Sequence, residues 1–119
     1  MKLAIATFLI GIAAASPLLA AETRCGWLQN PTPANWWLDD ADGSWTIMSQ
    51  GGREGPPGMD LIPDISGRDY VQTNGNYGYA CACLSVETDD NEGSITEILS
   101  FRQLALSKCK NDGNLSAPQ

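Results

Sequence analysis

Short apolar runs, broken every few residues by Gly, Pro, Asn and Asp, dominate the chain, and this spacing predicts strands joined by tight turns. Trp36-Trp37-Leu38 and Ser44-Trp45-Thr46-Ile47-Met48 flank Asp39-Asp40-Ala41-Asp42-Gly43, an acidic turn ending in Asp-Gly. They predict a first hairpin. Tyr70-Val71-Gln72-Thr73 and the run Tyr77 to Leu84 flank Asn74-Gly75, the strongest short hairpin signal, and predict a second. In the latter run Tyr77, Tyr79, Cys81 and Cys83 share one face of a strand, while Gly78, Ala80, Ala82 and Leu84 share the other. The small-residue face allows close approach of another element, which places this strand at the centre of the fold.

Other segments are less regular. Asn30-Pro31-Thr32-Pro33 reads as a rigid loop, because each proline fixes its own φ and holds the preceding residue extended. Ser94 to Cys109 fits two patterns: a helix opened by the capping box Ser94-Ile95-Thr96-Glu97, or a strand with Ile95, Leu99 and Phe101 on one face. The polar loop Thr88 to Gly93 before it favours the strand. Residues 51–69 hold five Gly and three Pro, a long irregular loop of the kind that is either functional or mobile. It lacks the Gly-Lys-Ser/Thr of a phosphate loop. Residues 111–119 read as a frayed tail.

Leu3 to Leu19 breaks the pattern with an almost wholly apolar run behind Lys2, and Ser16-Pro17 and Ala20-Ala21 follow its core. This is the sequence of a signal peptide over residues 1–21, cleaved rather than kept as a membrane anchor. Cleavage after Ala21 leaves 98 residues, 22–119, with six basic and fourteen acidic side chains and a net charge of −8. A domain of that size buries only about 60–65% of its unfolded surface and gains from covalent staples. Export to the periplasm or beyond makes the four cysteines, Cys25, Cys81, Cys83 and Cys109, a disulfide framework. A Cys81–Cys83 ring would be strained, so each of these two bridges to one end of the chain, in either of two pairings. A redox pair or a zinc site fits the spacing less well.

The run R-C-G-W-L-Q-N-P-T-P-A-N-W-W-L from Arg24 to Leu38, D-G-S-W-T-I from Asp42 to Ile47, Q-G-G from Gln50 to Gly52 and T-N-G-N-Y-G-Y-A-C-A-C-L from Thr73 to Leu84 resembles bacterial domain of unknown function family 4087. The likeness spans nearly all of residues 22–119. It implies a small exported protein of a single domain with these cysteines, and it supplies no catalytic residue.

Composition then limits the chemistry. The absence of histidine removes Ser-His-Asp and Cys-His catalysis and imidazole metal sites. A net charge of −7 over the whole chain argues against nucleic acid as a partner. Asp39, Asp40, Asp42, Glu54, Asp60 and Asp64 fall in turns and loops where solvated acids are ordinary, and Asp40-Ala41-Asp42-Gly43 does not have calcium-loop spacing. The aromatics say more. Trp27, Trp36, Trp37, Trp45, Tyr70, Tyr77 and Tyr79 are many rings for so small a core, and adjacent Trp36 and Trp37 point to opposite faces of an extended strand. One of that pair is expected at the surface beside Asn35, where it could stack on a sugar or anchor a protein.

The resulting expectation is a mainly β, hairpin-rich single domain with two disulfides, a small α+β arrangement being the alternative. It has no catalytic residue, metal or cofactor, and no stable membrane insertion once the signal is removed. Its function is recognition of a protein partner, in the manner of an inhibitor of a basic envelope or secreted enzyme, or of a carbohydrate or peptidoglycan. Candidate binding residues are Trp36, Trp37, Asn35, Trp27, Tyr77 and Tyr79.

Overall fold

The computed structural model describes residues 21–118; the expected signal peptide lies outside them apart from Ala21. Six strands follow one another: β1 (Glu22–Thr32), β2 (Asn35–Asp40), β3 (Gly43–Met48), β4 (Tyr70–Asn74), β5 (Tyr77–Asp89) and β6 (Ser94–Leu104), and a short helix α1 (Leu106–Lys110) comes last. Both predicted hairpins are present, as β2–β3 and β4–β5. The ambiguous segment is a strand as far as Leu104 and a helix only at its end.

The predicted loop at Asn30 to Pro33 is corrected. Asn30, Pro31 and Thr32 complete β1, and a two-residue turn at Pro33-Ala34 leads into β2. Pro31 is tolerated because the register slips between Gln29 and Thr32, so the missing N–H falls where the ladder is already interrupted. Ala34 takes the positive φ of 59° that the third position of such a turn needs. Proline density concealed the strand, although Cys25, Trp27 and Gln29 alternate with Gly26 and Leu28 before it.

The strands close on themselves. β1 pairs with β2 on one edge and antiparallel with β5 on the other, over nine positions from Glu22↔Val86 to Asn30↔Gly78. β2 pairs with β3, β3 meets β6 in parallel at Thr46↔Ser94, and β6 runs antiparallel to β5. The ring is therefore β1-β2-β3-β6-β5 and back to β1, with β4 extending the sheet beyond β6 on the same edge of β5. A barrel has no open edge along its closed part, which removes a common route to aggregation.

Alternation fills the interior with Leu28, Leu38, Trp45, Ile47, Ala80, Ala82, Leu84, Val86, Ile95 and Ile98. Small residues of the predicted small face let chains approach: a Cβ on Gly78 would lie 1.8 Å from the Val71 carbonyl oxygen of β4. Residues 51–69, read as a functional or mobile loop, instead close the interior. Ile65 is buried with the core, Met59 and Ile62 pack against it, and the Pro57 carbonyl accepts a hydrogen bond from the Ile98 amide at 2.9 Å. Gly58 makes this contact possible, having φ 87° and no Cβ where one would fall 1.8 Å from the Ile98 carbonyl oxygen.

The two disulfides are Cys25–Cys83 and Cys81–Cys109, so each end of the chain is tied to β5 as the spacing required. Cys25 and Cys83 are register partners on β1 and β5. Cys109 carries α1 onto the outside of the barrel, where Leu104, Leu106 and Leu115 surround Trp27 and Cys81. The tail expected to fray is thus held at Leu115, whose apolar side chain packs against the cluster of Trp27, Cys81 and Cys109. Such bridges persist in an oxidising compartment.

Candidate functional site

Because Leu38, Trp45 and Ile47 point inward, alternation turns Trp37 and Asp39 of β2 and Ser44 and Thr46 of β3 to the outside. Register then groups them. Gln29 of β1 lies opposite both Trp37 and Tyr79, and Asp39 lies opposite Trp27 and Ser44. The Asp39 carboxylate is held by three donors: Ser44 Oγ at 2.6 Å, Trp37 Nε1 at 3.2 Å and Gln29 Nε2 at 3.4 Å. Gln29 is 1% exposed, so this polar network has a buried floor. In front of it lies an open groove of about 410 Å³, bordered by Trp37, Asp39, Asp40, Gly43 and Ser44 on the barrel and by Ser116 and Ala117 of the tail. Gly43, at φ 142°, contributes no side chain to fill it.

One end of the hairpin is locked from below. Arg24 bonds Asp40 at 2.8 Å, Asp42 at 3.1 Å and Glu22 at 2.7 Å, and its guanidinium carbon lies 3.9 Å from the centroid of the Trp45 ring. Trp45 Nε1 donates to Asp40 Oδ1 at 3.0 Å, and the amides of Asp42 and Gly43 donate to the same oxygen. Desolvation opposes the charge on Arg24, but its bonds to Asp40, Glu22 and Asp42 outweigh that and raise its pKa above the ordinary value. The acidic turn is therefore internally neutralised in part, and its geometry is fixed by contacts within the protein. Among the described residues no three Cys, Asp or Glu side chains converge as a metal site.

The sequence candidates divide clearly. Trp37 is half-buried and faces the groove, whereas Trp36, on the far side of a register slip, packs against the barrel core. Asn35 is committed to the turn: its Oδ1 accepts the Gln50 amide at 2.8 Å and its Nδ2 donates to Thr32 Oγ1. Trp27 is 3% exposed and meets Tyr79 edge to face at 5.2 Å between centroids. Tyr77 is half-buried at the start of β5. Among these only Trp37 lines the groove, and Tyr79 is one position removed across Gln29.

Asp39, expected in the acidic turn, and Ser44, expected only as the start of a strand, both border the groove. The alternation Trp37-x-Asp39 was the available signal, since residues two apart on a strand share a face. The tail's part in the groove had no sequence signal at all.

A family profile described as "Protein of unknown function (DUF4087)" matches residues 19–116 of the chain. No curated protein matches it, and no solved structure does.

Proposed function

We propose that this chain, which belongs to the DUF4087 family of proteins of unknown function, is an exported, non-enzymatic recognition module whose ligand lies on the outer face of β2 and β3. The observation that carries the reading is the pairing of a half-buried Trp37 with an Asp39 carboxylate already oriented by three donors. Preorganised polar groups beside an aromatic surface lose little entropy on binding, which is what a recognition site requires. Export to the periplasm or outside the cell is supported by the apolar leader and by the two disulfides.

The test is retention of envelope protein and glycan fractions on the immobilised, oxidised protein, compared with a Trp37→Ala variant of matched melting temperature. The reading predicts that the variant loses what the parent retains. Equal retention by both would move the site elsewhere.

A second reading, a basic protein partner steered by charge, is favoured by one observation. Glu87 and Glu97 face each other directly across β5 and β6, an arrangement of like charges that a cationic partner would relieve. That mode predicts association rates that fall steeply with salt, and Glu87→Gln with Glu97→Gln lowers the low-salt rate toward the high-salt value.

A further inference from the structure

We infer that the ligand of the Trp37 groove is an uncharged oligosaccharide, an inference that rests on the groove being the recognition site. The first support is where the groove lies. The barrel's connectivity, an antiparallel β1-β2-β3 meander followed by β6 parallel to β3 and β5 closing on β1, is that of barrels that bind oligonucleotides or oligosaccharides. Those barrels bind on the outer face of the second and third strands. Here that face is the one carrying Trp37, Asp39 and Ser44.

Architecture alone does not choose a ligand, so the site must. A nucleic acid is disfavoured by the charges present. The side chains bordering the groove include two carboxylates, Asp39 and Asp40, and the chain has fourteen acidic against seven basic residues. A protein surface fits the shape poorly. A stable protein interface covers about 800 Å² on each partner, while a concavity of about 410 Å³ is of the size that holds small ligands.

The hydrogen-bonding groups point to hydroxyls. An ionised carboxylate has about four lone-pair positions, of which Trp37, Gln29 and Ser44 occupy three on Asp39, leaving acceptor capacity on Oδ1, which takes only the Ser44 bond. Ser44 Oγ spends its proton on Asp39 and keeps acceptor capacity of its own. The groove thus offers acceptors beside the Trp37 indole, with three neutral donors already compensating the Asp39 charge. A sugar ring supplies the complement: hydroxyl donors around its rim and an apolar C–H face for the indole.

Calorimetric titration of the oxidised protein, residues 22–119, with the β-1,4-linked N-acetylglucosamine tetramer and with cellotetraose tests this. At least one is expected to bind, with affinity unchanged in about 1 M sodium chloride, where charges are screened beyond about 3 Å. Trp37→Ala is expected to weaken that binding about tenfold, the upper range for an aromatic contact, and Asp39→Asn to weaken it while leaving the melting curve in place. Binding of tetralysine or of a thymidine decanucleotide instead, lost in high salt, would overturn the saccharide assignment and leave the groove standing if Trp37→Ala abolished it. No binding by either saccharide also overturns the assignment. Failure of the groove itself reads differently, as retention of envelope material that Trp37→Ala does not change.

Discussion

Trp45 and Trp37 belong to one hairpin and have opposite environments. Trp45 lies in the barrel under Arg24 and hydrogen-bonds Asp40, so Trp45→Ala removes buried aromatic volume and two polar contacts at once. It is expected to cost about 3–5 kcal/mol in a denaturant titration. Trp37→Ala opens onto solvent and is expected to cost about 1 kcal/mol or less by the same measurement. Ser94 supplies a different case. Its hydroxyl is buried at the β3–β6 seam and makes no hydrogen bond, so Ser94→Ala is expected to be neutral or to raise stability by about 1 kcal/mol. A loss of more than that would mean the hydroxyl has a partner. The sequence announced an unequal tryptophan pair at Trp36 and Trp37 through alternation, and that much is visible in the fold. It could not announce which ring faces the groove, because the side of β2 that becomes interior is set by β1 and β3 rather than by β2 itself.

At the scale of elements, the hairpins were legible because Asp-Gly and Asn-Gly turns are encoded locally, and β1 was hidden because its register slip at Pro31 depends on β2. The glycine-rich segment 51–69 shows the same limit. Its composition signals turns, but its role as the closure of the barrel depends on contacts with distant β6. Gly58→Ala tests that role. The added methyl would meet the Ile98 carbonyl on a backbone already at φ 87°, and a loss on the order of 1–3 kcal/mol is expected, with earlier proteolysis between residues 51 and 69. Gly113→Ala, with nothing within 4 Å of the new Cβ, is the control and should be silent. Equal melting of the two variants would show that the segment does not close the core.

For the whole molecule, a small barrel is held by its core and by two bridges to β5. Chain-entropy arithmetic assigns about 4 kcal/mol to Cys25–Cys83, which spans 58 residues, and about 3.5 kcal/mol to Cys81–Cys109, which spans 28. The bridges differ in what they hold. Cys81→Ser with Cys109→Ser is expected to free α1 and the tail, exposing their amides to hydrogen exchange while β1 to β6 stay protected; uniform loss of protection would contradict that division. The tail matters because Ser116 and Ala117 form one wall of the groove, so covalent closure of the chain also shapes the site. Recognition by this protein depends on that groove. The most direct measurement is a two-dimensional amide and indole spectrum of the oxidised protein titrated with the N-acetylglucosamine tetramer or cellotetraose. The indole proton of Trp37 and the amides of Gly43 and Ser44 are predicted to shift together, with Trp45 and the β5–β6 turn unmoved. Shifts confined to the acidic β5–β6 turn, or none at any saccharide concentration, would contradict saccharide binding in the Trp37 groove.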